Sequence, residues 1–277
     1  MPDLEADFRF TQVCLQDYLD CKRRFQLRYL IKQPWPAHVV EPADAFEHHI
    51  EQGKQFHRLV QQYVLGIQVE VLNRFAVDPP LADWWQAFLK CGLEGIPEVR
   101  FPEHTRATSL AGYGLVGKYD LIALSDAGEV WIVDWKTSRR VPGMNELRLR
   151  MQSRVYPFIL SREGLRHTGN RPIEPDRITM RYWFAGDPRN PKEFTYHQEQ
   201  YAEDQEFLEN LIHEIEMTAD EVFPLTEDKQ VCRFCLYRSL CDRGVEAGSF
   251  SDLVSDVEDL GEWPEGIDLD QIEEIAF

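Results

Sequence analysis

The stretch LVGKYDLIALSDAGEVWIVDWKTS, residues 115–138, decides how this chain folds. It holds two strand-like runs, LVGKYDLIAL (115–124) and EVWIVDWKTS (129–138), joined by the turn signal Ser125-Asp126-Ala127-Gly128. Alternate side chains of a strand face opposite ways, so Lys118, Asp120, Ile122 and Leu124 are expected on one face. Val130, Ile132, Asp134 and Lys136 likewise share one face of the next strand. A three-residue loop, Asp126-Ala127-Gly128, with Gly128 as its left-handed bulge residue, sets Ser125 opposite Glu129 and Asp120 opposite Asp134. A two-residue Ala127-Gly128 turn would shift the pairing by one and separate the carboxylates. In the first register two like charges face each other with Cβ atoms roughly 5 Å apart, an arrangement that a divalent cation between them resolves. Leu121-Ile122-Ala123 and Trp131-Ile132-Val133 suit strands buried on both faces, so charges that terminate them need a partner or a metal.

Outward from this hairpin, residues 1–95 show helical patterns. Thr11 is a candidate N-cap for a helix to about Tyr29, with Tyr18, Cys21, Phe25 and Tyr29 on one stripe. A second helix is predicted over Asp44–Leu65, and Pro79-Pro80 precedes a third through Trp84, Trp85 and Phe88. From Pro97 the pattern turns to β, with runs at Val99–Phe101, Leu110–Val116, Tyr119–Leu124 and Val130–Trp135. A helix over Met144–Ser161 follows, then a strand at Ile178–Phe184, a shorter one near Phe194–Tyr196, and a long helix over Gln200–Val222. The predicted organisation is a helical region (1–95), an α/β core (96–225), a cysteine segment (226–245) and an acidic, partly disordered tail (246–277).

With 277 residues and 43% hydrophobic content, the composition is that of an ordinary soluble globular protein. No stretch approaches the roughly 20 apolar residues of a membrane span, and MPDLEADFRF lacks the apolar core of a secretion signal. A cytoplasmic location without membrane contact is the expectation. Six cysteines in that setting are thiols or metal ligands rather than disulfides. A net charge of -18 argues against coating nucleic acid by bulk attraction. No Lys or Arg follows Arg243, while eleven acidic residues lie from Glu246 onward. Positive charge clusters at Lys22-Arg23-Arg24 with Arg28, at Arg139-Arg140, and at Arg148, Arg150 and Arg154. These groups flank the candidate site, and any one of them can equally be solvated surface.

Four short motifs surround the hairpin: Gly53-Lys54-Gln55-Phe56-His57, Gly117-Lys118-Tyr119-Asp120, Asp134-Trp135-Lys136, and Gln152 with Tyr156. In this order they resemble the PD-(D/E)XK nuclease superfamily, specifically its RecB-like branch, with its glycine-to-histidine stretch, G-x-x-D, D-x-K and Q-x-x-x-Y. The resemblance implies a restriction-endonuclease-like α/β core, a mixed central β-sheet flanked by helices. It also implies a magnesium or manganese ion held by His57, Asp120, Asp134 and the main-chain carbonyl of Trp135, with Asp120, Asp134, Lys136, Gln152 and Tyr156 as catalytic residues. The residue chemistry agrees: oxygen donors suit magnesium, and a histidine shifts preference toward manganese. Lys136 is then placed to orient an attacking water or to neutralise charge at phosphorus. Gln152 and Tyr156, four residues apart, share a helix face with Arg148. Taken singly, His57 would be a helix-surface histidine and Asp120 a strand-end acid. Asp134 and Lys136 would be a surface ion pair worth under about 1 kcal/mol.

Near the other end stands Cys232-x2-Cys235-x5-Cys241. Thiolates at such spacings bind zinc or iron-sulfur clusters, and three require a fourth from elsewhere. Cys21 is the candidate. Its setting, YLDCKRRF, is similar to the N-terminal cysteine of iron-sulfur members of the same branch, the AddB-type nucleases and the CRISPR-associated RecB-like exonucleases, although Lys22 stands where those usually carry proline. The resemblance implies a structural [4Fe-4S] cluster on Cys21, Cys232, Cys235 and Cys241, stapling the first helix to the last segment; zinc is the competing occupant. Cys14 and Cys91 are expected as small buried apolar residues, and Cys14 replaces Cys21 if the first helix is rotated.

The function so implied is a metal-dependent DNA exonuclease on single-stranded DNA or frayed ends, in CRISPR adaptation or DNA break repair. No G-x-x-x-x-G-K-[ST] phosphate loop is present, so a helicase or integrase partner would act in trans. A catalytically idle DNA-end-binding or assembly subunit is the alternative. The acidic tail could mimic DNA over a basic groove, dock a partner through Trp263, Ile267, Leu269, Ile272, Ile275 and Phe277, or simply confer solubility.

Overall fold

A computed structural model describes residues 4–35, 37–138, 140–165, 169–218 and 222–250. Strand β1 (Arg9–Thr11) leads into helices α1 (Gln12–Asp20) and α2 (Lys22–Phe25), and the latter runs on as a π turn over Gln26–Leu30. After β2 (Val40–Glu41) come α3 (Ala43–Val64), α4 (Val69–Leu72) and α5 (Leu81–Cys91). The centre of the chain supplies β3 (Val99–Leu110), β4 (Tyr113–Leu124), β5 (Val130–Lys136), α6 (Met144–Leu149) and α7 (Met151–Glu163). Strands β6 (Ile178–Phe184) and β7 (Lys192–Thr195), helices α8 (Gln198–Thr218) and α9 (Lys229–Arg233), and strand β8 (Gly248–Ser249) complete it.

The mixed sheet is organised around β4. Along one edge β4 pairs with β3 over its whole length; along the other it pairs with β1 at Gly114–Val116 and with β5 at Leu121–Leu124. Strands β5 and β6 run parallel, and β7 closes the far edge antiparallel to β6. Between the footholds of β1 and β5, residues 117–120 of β4 face a fork in the sheet. The G-x-x-D motif occupies that fork. One face of the sheet packs Ile122, Ile132, Met180 and Tyr182 against α1, α7 and α8 through Leu15, Val155, Ile159 and Leu208. The other packs Leu121, Ala123, Val133, Trp135 and Trp183 against α3 and α5 through Phe56, Leu59, Trp85 and Phe88. Each such fully buried side chain contributes about 1.5–3 kcal/mol, so both layers are needed to hold the fork rigid. This is a mixed α/β architecture with a central sheet flanked by helices, as expected.

The β4–β5 turn follows the three-residue prediction. The Gly128 N–H donates to Ser125 O, the Ser125 N–H donates to Glu129 O, and Gly128 takes φ +79°. Leu121 pairs with Val133 and Leu124 with Val130, a register that sets Asp120 opposite Asp134.

Other expectations are corrected. The β run at Leu110–Val116 spans a second hairpin, because Ala111 and Gly112 both take positive φ (+50° and +85°), as a two-residue primed turn requires. The first helix breaks at Cys21, which is extended (φ -161°, ψ 107°). The helix predicted from Met144 breaks at Arg150 (φ -65°, ψ 144°), and Arg148 leaves the Gln152–Tyr156 face to lie 5.0 Å over the Phe194 ring. Two of the basic clusters also change meaning. The partly buried Arg24 and the buried Arg28 pair with Asp17 at 2.8 and 2.9 Å, and Arg154 pairs with the fully buried Asp204, so these guanidiniums brace the fold.

The region assigned to the tail begins with ordered pairing. Strand β8 adds to β2, and Phe250 is buried among Val39, Val40 and Phe46. The expectations for Arg139 and for the tail from residue 251 lie outside the described residues.

Candidate metal centre and cysteine site

Strand alternation slips inside the G-x-x-D motif. Leu115 and Tyr119 face the layer that holds Tyr156, and a Cβ on Gly117 would meet Tyr156 Cδ1 at 3.2 Å on that same side. Leu121 and Ala123 face the α3 layer instead. The parity change falls at Asp120, where the fork leaves β4 free to twist. Lys118 and Ile122 therefore do not share a face, and Asp120 turns toward α3, correcting the single-face expectation. Its Oδ2 accepts the Trp135 N–H at 2.9 Å, replacing a ladder bond. Its Oδ1 lies 3.3 Å from His57 Nδ1. A strand residue directs N–H and C=O to the same edge, so the Trp135 carbonyl also points into the fork.

His57 reaches the fork because α3 packs Phe56, Leu59 and Val60 into the sheet and so fixes the rotation of the helix. A third group, missed in the sequence, joins them. Glu103 lies on β3 between the pairs Pro102–Leu121 and His104–Tyr119, opposite Asp120. Among the described residues, His57, Glu103 and Asp120 form the one group whose donor atoms all lie within 4.8 Å of one another. Glu103 pairs with Lys118 at 3.0 Å. The signal for it was the Ala111-Gly112 turn, since placing that turn brings residue 103 against residue 120.

Asp134 keeps the other face. Its Oδ1 accepts from Gln152 Nε2 at 2.6 Å, and its Oδ2 lies 2.9 Å from Lys136 Nζ. Asp134, Lys136 and Gln152 are all buried. The same-face prediction for Asp134 and Lys136 holds. The cation expected between the carboxylates is in part the chain's own, because the Lys136 ammonium bonds Asp134 and also acts on Asp120.

Electrostatics follow this division. Burial works against the charged form of Asp120, but His57, Lys136 and the Trp135 N–H outweigh it and hold its pKa below the usual carboxylate value. Burial, then the charge of Asp120, raises Glu103, with Lys118 opposing. Burial, then the charge of Asp134, lifts Tyr156 well above the ordinary phenol value, so it acts as a neutral hydrogen-bonding group. Its carbonyl accepts from the Tyr119 hydroxyl at 2.8 Å, tying α7 to the motif strand.

The second constellation also assembles. Cys21, Cys232, Cys235 and Cys241 line one cavity together with Arg24, Arg238, Arg243 and Tyr237. The break at Cys21 is what allows this: the residue leaves the helix while its N–H still donates to Asp17 O. Cys14 is excluded as its substitute, because its Sγ accepts the Thr11 N–H at 3.0 Å within the cap of α1. Burial raises the thiols of Cys232 and Cys241, and that of Cys235 to about 11. The chemistry suits a metal group, since thiolate ligation beside three guanidiniums offsets that cost. Arg238 further braces the loop by donating to Cys235 O at 2.9 Å.

No described helix is long and apolar enough to cross a membrane. No curated protein matches the chain. Among solved structures, one described as "Crystal structure of SSO0001" is 17% identical, over 84% of this chain and 85% of that chain, with a TM-score of 0.41. The sequence profile of the PD-(D/E)XK nuclease superfamily matches residues 9–242, a span that includes His57, the forked G-x-x-D and D-x-K strands, the Gln152 helix and all four clustered cysteines. The chain belongs to the PD-(D/E)XK nuclease superfamily.

Proposed function

We propose that this protein is a metal-dependent deoxyribonuclease that works as an exonuclease on single-stranded DNA or frayed ends, and that it carries a structural [4Fe-4S] cluster. Membership of the superfamily supports metal-dependent nuclease activity. The observation that carries the reading is the fork at Asp120, where His57, the Asp120 carboxylate and the Trp135 carbonyl edge converge beside the buried Asp134–Lys136–Gln152 group. These donors fit magnesium or manganese, which when bound would polarise a phosphodiester and activate a water.

The chain's own groups have separable tasks. Lys136, held by Asp134, presents a fixed positive charge to a developing phosphorane without having to reorganise. Gln152 fixes the Asp134 carboxylate, and Tyr156 with Tyr119 locks α7 to β4. The cysteine cavity sits apart from this chemistry and joins α1 to the α9 segment, so its cluster would act as a staple. Zinc on the same four thiols is the competing occupant. The setting in CRISPR adaptation or DNA break repair, the cytoplasmic location, and a helicase or integrase partner rest on the motif resemblance.

The deciding experiment is degradation of end-labelled single-stranded DNA by the full chain. Cleavage with manganese or magnesium and none in EDTA is expected. Robust cleavage in EDTA, or none with any metal, would remove the enzyme reading. Anaerobically purified protein should contain iron and acid-labile sulfide, and one zinc per chain in their place would reassign the cysteines.

A further inference from the structure

Glu103 belongs to none of the motifs that define the site, yet it is the carboxylate that faces Asp120 across β3 and β4. We propose that Glu103 is a protein ligand of the divalent ion, and that Lys118 holds Glu103 until a DNA phosphate draws Lys118 away, so that metal binding and substrate binding reinforce each other. The proposal rests on the nuclease reading above and deepens it.

The donors of His57, Glu103 and Asp120 already lie within 4.8 Å of one another, a span that one cation can bridge. Asp134, the carboxylate that the resemblance adds to this set, is buried, with Oδ1 accepting from Gln152 Nε2 at 2.6 Å and Oδ2 paired with the Lys136 ammonium at 2.9 Å, and its oxygens keep lone pairs for an ion beside these contacts. The partner of Glu103 is of a different kind. Lys118 is 60% exposed against 19% for Glu103, so its ammonium already meets water and can leave the carboxylate without being stranded. Lys118 is itself the second residue of the G-x-x-D motif and lies within the fork, two residues from Asp120, where a phosphodiester bound beside Asp120 would come within its reach.

Two cations then compete for Glu103. With no substrate, the ammonium of Lys118 occupies the Glu103 carboxylate and repels an incoming divalent ion. A phosphate at the mouth offers Lys118 a charge-assisted partner and releases the ligand. Linkage requires the converse: metal on Glu103 frees Lys118 to bind phosphate.

Calorimetric titration of the full chain with Mn2+ tests this in wild type, Glu103→Gln, Lys118→Met and the double variant. Glu103→Gln should weaken Mn2+ binding about tenfold or more, by analogy with the cost of losing a supporting group at a metal site. Lys118→Met should tighten it severalfold, and the gain should vanish in the double variant. A cleavage-resistant phosphorothioate oligothymidylate should tighten Mn2+ binding to wild type by about fivefold or more, in the usual range of coupling between sites, and by less to Lys118→Met. Unchanged binding by Glu103→Gln overturns the proposal. If that variant fails to fold, Lys118→Met alone decides, and binding that is unchanged or weaker overturns it. Wild type that takes up no Mn2+ and cuts no DNA would instead remove the nuclease reading, whereas Mn2+-dependent cleavage with an indifferent Glu103→Gln removes only this inference.

Discussion

The cleft has an open half and a buried half, and they solve opposite problems. His57 and Asp120 keep 15% and 18% of their side-chain surface in contact with solvent, whereas Lys136 and Asp134 keep 4% and 5%. A group that must exchange water, metal and phosphate needs a path to solvent. A group that must hold an ammonium in one place needs that path closed, because water would screen the charge and let it wander. Burial makes the second arrangement fragile, since two desolvated charges are tolerable only while every bond between them is made. The D-x-K strand thus holds one carboxylate in a buried ion pair, and the fork holds the other where solvent reaches it.

The sharpest way to break this comparison is Asp134→Ala. It leaves Lys136 buried with its partner removed, so folding stability should fall by about 3–5 kcal/mol in urea denaturation. Two bare carboxylates facing each other would give the reverse, a more stable variant through relief of repulsion. A midpoint at or above that of wild type would show that the Asp134–Lys136 pair is not the buried unit described. Gln152→Ala should come next, at about 1–3 kcal/mol, because it strips the Asp134 Oδ1 of its donor while leaving the ion pair. Gln152→Glu should be at least as damaging, as it sets a second negative charge against Asp134.

How far these halves could be read from residues alone follows from the range of the interactions that set them. The β4–β5 register was legible because Ser125-Asp126-Ala127-Gly128 fixes it within a few residues, and Gly128 alone meets the positive φ the loop needs. Asp134 and Lys136 sharing a face needed only strand alternation. The slip at Asp120 was hidden, since it falls where β1 and β5 leave one edge of β4 open at residues 117–120 and where Glu103, opposite on β3, takes φ +50°, and both β1 and Glu103 are distant in sequence. Glu103 was hidden for a related reason: its place opposite Asp120 hangs on the Ala111-Gly112 turn inside an uninterrupted β-like run. The break at Cys21 was hidden as well, because Tyr18 before it and Phe25 and Tyr29 after it continue one apolar stripe at helical spacing. Its identity as a cysteine nevertheless marked the position where the helix gives way.

The open half should respond in the opposite sense. Asp120→Asn keeps an oxygen to accept the Trp135 N–H while removing the charge that His57 and a cation would meet. Stability should fall by about 1 kcal/mol, the difference between a hydrogen bond to a charged group and one to a neutral group, while Mn2+ binding and metal-dependent cleavage are lost. Calorimetry alongside urea denaturation separates the two readouts. A large stability loss with metal binding intact would mean that Asp120 braces the fork and does not serve the ion, and the division between the halves would dissolve.

Arg148 sets the lower limit of the comparison. Helical spacing would put its guanidinium on the same face as Gln152 and Tyr156, aimed at the cleft, and removing it would then weaken DNA cleavage strongly. The break at Arg150 carries it instead over the ring of Phe194, at 5.0 Å, on the strand at the far edge of the sheet. A cation–π contact of this kind contributes about 0.5–1 kcal/mol where solvent reaches it. Arg148→Ala should therefore cost about that much in stability and leave both Mn2+ affinity and the cleavage rate unchanged. A severalfold loss of cleavage with the Mn2+ affinity intact would restore Arg148 to the substrate path, and would mean that α6 and α7 straighten into one helix when DNA is bound.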